Sequence, residues 1–171
     1  MYKNDYAEIV KEKIKNQNLK YNIQTFGCQL NENDSEKIAG MLEMLGYSKI
    51  DDYKDADIII FNTCCVRENA EERLFGKIGE IKNLKQSRNL IIGICGCMMQ
   101  ERQMVDKIKK SYPYVDIILG THTLQNLPED IYRAIIKNEK VRDVIDADGE
   151  IYENLPIKRN SEYSANVTIM Y

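Results

Sequence analysis

The chain has 171 residues, of which 43% are hydrophobic and 30% charged, so it is long enough for one domain with a substantial core. Its 24 lysine and arginine residues against 27 acidic residues give a net charge of −3, which argues against a protein that binds nucleic acid mainly through phosphate contacts. The apolar runs have strand length, and no signal sequence begins the chain. These features favour a cytoplasmic protein without a membrane span.

Apolar residues recur along the chain in two patterns, one typical of helices and the other typical of strands. The predicted helices cover residues 4–17, 34–45, 66–85, 100–111 and 128–137. The predicted strands cover residues 20–26, 57–61, 89–95 and 114–119. The helix at 34–45 is expected to have its N-cap at Asn33 or Asp34. The helix at 66–85 is expected to bury one stripe, which consists of Val66, Ala70, Leu74, Ile78 and Ile81.

Strand and helix alternate four times, which predicts an α/β fold with a mostly parallel sheet of about four strands. Helices are expected on both faces, in a three-layer arrangement of the Rossmann or flavodoxin-like kind. We divide the chain into an N-terminal helix or arm at 1–19, an α/β domain at 20–140 and a linker at 141–171. The linker is predicted to end in a first strand, Asn166–Tyr171, that leads into a domain absent from this sequence.

All five cysteines lie in three short stretches, each of which follows a predicted strand and precedes a segment of helical pattern. Parallel sheets bind ligands beyond the carboxyl ends of their strands, where these stretches fall. Cys28 and Cys64 are 36 residues apart, and Cys64 and Cys97 are 33 apart, each about one strand–helix–strand unit. Thiolates suit zinc and iron–sulfur clusters, so the spacing predicts a thiolate site at this edge.

The spacing leaves some assignments open. Cys64 and Cys65 are adjacent and point in different directions, and the pattern does not choose between them. Cys95 continues an apolar run and is interpreted as a buried structural thiol. His122 is interpreted as a loop residue. A structural zinc or docking domain remains the alternative, although a zinc ribbon is disfavoured because the chain has no C-x-x-C pair.

Three motifs resemble those of the MiaB-type tRNA methylthiotransferases. Thr25 to Glu36 is similar to the opening motif of that family, Asn62 to Glu71 to the second, and Gly96 to Gln100 to the third. They follow in the expected order and cover most of residues 21–120. The chain is therefore identified as resembling the N-terminal domain of this radical S-adenosylmethionine family.

The resemblance implies an auxiliary 4Fe–4S cluster held by Cys28, Cys64 and Cys97, which makes these the cofactor-binding and metal residues. Cys65 falls where relatives usually have another residue, and Cys95 lies outside the ligand position. The reaction implied replaces the C2 hydrogen of N6-isopentenyladenosine, next to the tRNA anticodon, with a methylthio group. The cluster would carry the sulfur at its open iron.

The resemblance also implies parts that this sequence does not contain. The 171 residues hold no C-x-x-x-C-x-x-C, the motif that carries a second 4Fe–4S cluster beside S-adenosylmethionine in the family's radical domain. We expect that domain and a small C-terminal domain to contact most of the tRNA, and we expect no catalytic residue here and no activity from these residues alone. Gln29 and Asn31 resemble the enzymes that act on isopentenyladenosine. Relatives that act on threonylcarbamoyl-adenosine tRNA or on a ribosomal protein are the alternatives.

Overall fold

The computed structural model describes residues 3–66, 69–144 and 155–159 of the chain. Its helices are α1 (Lys3–Ile14), α2 (Gln29–Leu45), α3 (Ala70–Ser87), α4 (Arg102–Ser111) and α5 (Leu127–Ile136). Its strands are β1 (Lys20–Phe26), β2 (Ser48–Lys49), β3 (Ile58–Thr63), β4 (Ile91–Cys95), β5 (Ile117–Leu119) and β6 (Val141–Asp143). None of these helices is long and apolar enough to cross a membrane.

The six described strands form one sheet in the order β2-β1-β3-β4-β5-β6, and every neighbouring pair is parallel. This confirms the predicted α/β fold with a parallel sheet, although two short strands, β2 and β6, extend it beyond the four expected. Each lies at an outer position of the sheet and has only two or three residues. Such short strands carry too little alternation to be recognised in a sequence.

Helices cover both faces of the sheet because successive side chains of each central strand point to opposite sides. In β3, Ile58 and Ile60 enter a core shared with α1, α2 and α5, whereas Ile59 and Phe61 enter a second core shared with α3 and α4. All six residues of β3 are buried. The continuous apolar run predicted a strand covered on both faces, and the two cores confirm the three-layer arrangement.

The start of α3 differs from the sequence prediction. Val66 was expected at the head of the buried stripe, but the helix begins at Ala70 and the Val66 residue is 82% exposed. Asn69 adopts a positive φ of 63° immediately before the helix, so the chain changes direction there and the helical period does not extend back to Val66. The remaining four residues of the stripe are buried as expected.

A separate segment, residues 155–159, packs along α2. A Cβ atom added at Gly40 would stand 2.3 Å from the Pro156 carbonyl oxygen, so glycine is required for this contact. The backbone N–H of Lys158 donates to the Glu36 carbonyl at 2.9 Å, and Arg159 Nη1 lies 3.0 Å from Glu36 Oε2. The segment therefore runs antiparallel to α2, towards the N-terminus of that helix. The strand predicted at 166–171 lies outside the described residues, and the proposed domain limits remain predictions.

Candidate functional site

The carboxyl ends of β1, β3 and β4 bring the three cysteine stretches together. These strands are neighbours in the sheet, with Phe26 paired to Thr63 and Asn62 paired to Cys95. The Cys64 N–H donates to the Phe26 carbonyl at 3.1 Å, and Thr63 Oγ1 donates to the Cys95 carbonyl at 3.1 Å. The backbone that carries the cysteines is thus fixed by hydrogen bonds that continue beyond the strands.

Cys28 is the N-cap of α2. Its backbone is extended (φ −90°, ψ −174°), its sulfur accepts the Asn31 N–H, and its own N–H donates to Asn31 Oδ1 at 3.1 Å. This is a capping box built from cysteine and asparagine. The prediction of an N-cap at Asn33 or Asp34 was wrong, because the Cys28–Asn31 pair satisfies the first helical N–H groups about one turn earlier. The cap fixes the direction of the Cys28 sulfur.

A buried amide network joins the start of α2 to the end of β3. Asn31 Nδ2 donates to Asn62 Oδ1 at 2.9 Å, and Asn62 Nδ2 donates to the Asn31 carbonyl at 2.8 Å and to Ser35 Oγ at 3.0 Å. Ser35 Oγ in turn lies 2.8 Å from Thr25 Oγ1. The exposed fraction is 1% for Asn31 and zero for Asn62. These residues hold the Cys28 and Cys64 segments in one relative position.

The sequence reasoning assigned no role to this network. One signal was available: Asn62 is an amide at the end of the otherwise apolar run of β3, and a buried amide requires hydrogen-bond partners. The partner itself could not be read from the pattern, because Asn31 lies 31 residues earlier in the chain.

Two glycines allow the cysteine segments to approach one another. A Cβ atom at Gly27 would stand 2.1 Å from Asn31 Oδ1, where it would displace the cap. Gly96 has a positive φ of 101°, and its Cβ atom would stand 2.2 Å from the Thr63 carbonyl oxygen. Cys28 and Cys97 therefore each follow a glycine that permits close backbone approach.

The five thiols differ in their access to solvent. Cys64 and Cys95 are each 1% exposed, Cys28 and Cys97 are half-buried, and Cys65 is exposed. Cys95 packs within the first core, as expected for a structural thiol. Of the two adjacent cysteines, Cys64 is therefore buried at the carboxyl edge of the sheet, whereas Cys65 is exposed to solvent.

The electrostatic environment also distinguishes the thiols. Burial raises the pKa of Cys28, but hydrogen bonds from the backbone of Asn31 and Leu30 and from Cys64 outweigh this and hold the pKa below its ordinary value. Burial, followed by the neighbouring thiols of Cys65 and Cys64, raises the pKa of Cys97 to about 11. The pKa values of Cys28 and Cys97 are thus shifted in opposite directions at the same edge of the sheet.

The donor chemistry of this edge fits a thiophilic metal group. Three backbone segments that each carry cysteine meet at this edge, and soft sulfur donors of this kind suit iron–sulfur clusters and zinc. In the described ranges, no three cysteine, histidine or acidic side chains are close enough to surround a single metal ion. His122 lies in a short 3₁₀ segment after β5, Thr121–Asn126, and its carbonyl accepts from Gln125.

Fold and site together define a parallel α/β domain that gathers cysteines at the carboxyl edge of its sheet. Residues 20–120 match the model of the family described as "Uncharacterized protein family UPF0004". The chain belongs to this family.

Three curated relatives carry the same name. The chain is 48% identical over 168 residues to the tRNA-2-methylthio-N(6)-dimethylallyladenosine synthase of Clostridium botulinum (strain Alaska E43 / Type E3), which covers 98% of this chain and 37% of the relative. It is 51% identical over 150 residues to the synthase of Clostridium perfringens (strain SM101 / Type A), with 87% of this chain and 34% of the relative covered. The Acetivibrio thermocellus synthase is 51% identical over 152 residues, with 88% and 32% covered.

These matches confirm the resemblance to the MiaB-type tRNA methylthiotransferases that the three motifs indicated. The chain spans about a third of the length of the curated relatives it matches.

Proposed function

We propose that this chain binds a 4Fe–4S cluster through Cys28, Cys64 and Cys97. It would do so as the auxiliary-cluster domain, residues 20–140, of a radical S-adenosylmethionine tRNA methylthiotransferase. The enzyme converts N6-isopentenyladenosine next to the anticodon to its 2-methylthio derivative. Residues 141–171 link this domain to the radical domain, which carries the second cluster and S-adenosylmethionine. The 171 residues alone do not perform the reaction.

The observation that carries this proposal is the convergence of three cysteine segments at the ends of three adjacent parallel strands. A cysteine used only as a small apolar residue would be buried in the core, as Cys95 is. Cys28 and Cys97 are instead half-buried, at the rim of the sheet. The Asn31–Asn62 network supports a binding role because it fixes these segments at the cost of burying two amides.

Three features of the chain would hold the group. The cap of α2 orients Cys28, the hydrogen bond from the Cys64 N–H to the Phe26 carbonyl fixes the backbone at Cys64, and Gly96 lets the Cys97 segment approach the end of β3. The backbone N–H of Asn31, which points at the Cys28 sulfur, stabilises a negatively charged thiolate there. When bound, the cluster supplies a sulfur carrier at an iron that these three cysteines leave without a protein ligand.

Anaerobic reconstitution of the purified chain with iron and sulfide tests the ligand set. We expect a brown protein with 4Fe–4S stoichiometry, and we expect Cys28→Ala, Cys64→Ala and Cys97→Ala each to lose it. Cys65→Ala and Cys95→Ala should keep it. Cys95→Ala is the matched control for Cys64→Ala, because both remove a buried thiol and leave a comparable cavity.

Two outcomes would contradict this assignment. A cluster that survives Cys64→Ala but not Cys65→Ala would exchange the roles of the adjacent pair. Uptake of one zinc ion with thiolate coordination, without any cluster under anaerobic reducing conditions, would favour a structural zinc domain. Circular dichroism of every variant separates the loss of ligands from the loss of the fold.

The substrate is tested in the full-length enzyme that carries this domain. Cells that produce the Cys28→Ala or Cys97→Ala enzyme should accumulate isopentenyladenosine without the methylthio group, as measured by mass spectrometry of digested tRNA. An unchanged level of 2-methylthio-N6-isopentenyladenosine would reject the assignment of isopentenyladenosine as the substrate. The loss of methylthiolation from threonylcarbamoyl-adenosine, or from a ribosomal protein, would indicate one of the related enzymes.

A further inference from the structure

Gln100 faces the same side of the carboxyl edge as Cys97. The two residues begin and end the short 3₁₀ segment Cys97–Gln100, which follows β4. Side chains three residues apart eclipse one another in a 3₁₀ helix, about 6 Å apart along its axis. Burial agrees with this geometry, because Met98 and Met99 are buried, whereas Cys97 and Gln100 are partly exposed. Gln100 therefore lies beside the cysteine site.

The amide of Gln100 reaches the end of the neighbouring strand, β5. A Cβ atom at Gly120, the residue after β5, would stand 2.8 Å from Gln100 Oε1. Gly120 has φ −75° and ψ 166°, a conformation that any residue adopts, so the backbone does not require glycine there. Glycine instead leaves the space that the Gln100 amide occupies, across the carboxyl ends of the parallel neighbours β4 and β5.

Two polar atoms at this position have no hydrogen-bond partner. In the part of the chain that the structure describes, Gln100 Oε1 and Thr121 Oγ1 are both buried and unpaired. Buried polar atoms are nearly always paired in native proteins, and those that are not call for an explanation, of which a functional role is one. Because the last torsion of a glutamine side chain is broad and Gln100 is partly exposed, its amide can turn towards a ligand.

We infer that Gln100 and Thr121 form a hydrogen-bonding subsite that holds the N6–N7 edge of an adenine base beside the cysteine site. This inference rests on the proposed function. A glutamine amide pairs with adenine through two hydrogen bonds, in which Oε1 accepts from N6 and Nε2 donates to N7. An adenine alkylated at N6 keeps one hydrogen there, so this pairing remains available. The Thr121 hydroxyl can donate to the same ligand or accept from it. C2 lies across the six-membered ring from this edge, so a base held in this way presents C2 freely.

Replacement of N7 in the substrate tests the pairing. The full-length enzyme that carries this domain is assayed on two anticodon stem–loops, one with N6-isopentenyladenosine and one with its 7-deaza analogue, in which C–H replaces N7. We expect kcat/KM of the wild type to fall about tenfold on the analogue, because one hydrogen bond to the base is lost. Gln100→Ala should be about tenfold slower on the natural substrate and show no further loss on the analogue.

Two variants of unchanged shape and one control keep the test independent of folding. Gln100→Glu retains an acceptor but has no hydrogen for N7, so it should process the 7-deaza analogue at least as well as the natural substrate. Thr121→Val should lower kcat/KM about threefold on both substrates. Gln103→Ala, at an exposed position of α4, should match the wild type on both. Iron content and circular dichroism should be the same in all variants.

The outcomes separate this inference from the proposed function. A wild type that processes both substrates equally, and that is inactivated by Cys28→Ala, would overturn the subsite alone. An equal penalty for the analogue in wild type and Gln100→Ala would mean that another group contacts N7, and full activity of Thr121→Val would remove Thr121 from the subsite. A wild type inactive on isopentenyladenosine would overturn the proposed function and the subsite with it.

Discussion

Gly96 lies so close to the backbone of Thr63 that a Cβ atom at Gly96 would stand 2.2 Å from the Thr63 carbonyl oxygen. The Gly96 backbone also has φ 101° and ψ 178°, a region that is essentially restricted to glycine. Gly96→Ala should therefore lower the free energy of unfolding by about 3 kcal/mol, from backbone strain together with the separation of β3 from the Cys97 segment. Urea unfolding followed by circular dichroism measures this loss.

Gly79→Ala is the matched control for Gly96→Ala. Gly79 lies within α3, and apart from its chain neighbours and the backbone of its own helix no atom lies within 4 Å of the position its Cβ would take. Replacement of a helical glycine by alanine should raise the free energy of unfolding by about 0.5–1 kcal/mol. Equal effects of the two substitutions would mean that the contact between Gly96 and Thr63 contributes nothing to the fold.

Asn62→Ala should also destabilise the domain. It removes the hydrogen bonds from Asn62 Nδ2 to the Asn31 carbonyl and to Ser35 Oγ, and it leaves Asn31 Nδ2 with only the Thr63 carbonyl, 3.2 Å away, as acceptor. Three buried hydrogen bonds are lost, each worth about 0.5–1.5 kcal/mol, so we expect a loss of about 3 kcal/mol in urea unfolding. Because Asn31 caps the helix at Cys28, alkylation of the Cys28 thiol should also change in rate, which peptide mass mapping detects. Asn83→Ala, at an exposed position of α3, should change stability by less than about 0.5 kcal/mol.

Asp130 makes stability depend on pH. Its side chain is buried in α5, Oδ2 has no hydrogen-bond partner, and Oδ1 lies 3.9 Å from the nearest guanidinium nitrogen of Arg133. Burial, and then the charge of Asp143, raises the pKa of Asp130 to about 8. The folded state therefore favours the protonated acid, and its stabilisation is present below the unfolded pKa of about 4 and lost as pH rises through 8.

Asp130→Asn should consequently be more stable than wild type at pH 8 and nearly equal to it at pH 4. Urea unfolding at pH 4, 6 and 8 measures the difference, which should increase steadily with pH. Asp106→Asn, on the exposed side of α4, controls for the loss of one negative charge. A difference that stays constant across this pH range would mean that the pKa of Asp130 is the same in the folded and unfolded protein, and would contradict the raised pKa.

Gly40→Leu should release the 155–159 segment while α2 stays folded. The new side chain would enter the space of the Pro156 carbonyl, but leucine is a better helix former than glycine. We expect faster tryptic cleavage after Lys158 and Arg159, with overall stability changed by less than about 1 kcal/mol. Gly79→Leu places the same residue in open space and should leave the cleavage rate at the wild-type value.

Local patterns predicted most of the fold because the central strands and helices each show the apolar periodicity typical of their type. Residues 20–26 were expected as a strand and form β1 with these limits, and the apolar run at Ile58–Ile60 lies at the centre of the sheet. The cysteine edge was also predictable, because three strands that each lead into a cysteine stretch must bring these stretches together once the strands are parallel neighbours.

The parts that the sequence did not predict depend on contacts between distant residues. The partnership of Asn31 with Asn62 joins positions 31 residues apart, and no local pattern encodes it. Cysteine is not among the residues usually expected at an N-cap, so the start of α2 was placed too late. The difference between Cys64 and Cys65 likewise depends on how the end of β3 meets β1 and β4, which only the assembled sheet determines.

The 155–159 segment has a mechanical consequence. It runs antiparallel to α2 and reaches Glu36, which lies about 12 Å along the helix axis from Cys28. A force on the chain beyond Arg159, directed towards the cysteine edge, would load the contacts at Gly40 and Glu36 in shear, all at once, rather than peel them one by one. Because α2 is rigid, this force would be transmitted along the helix to its N-cap. A displacement of the chain beyond Arg159 would therefore also displace the Cys28 sulfur.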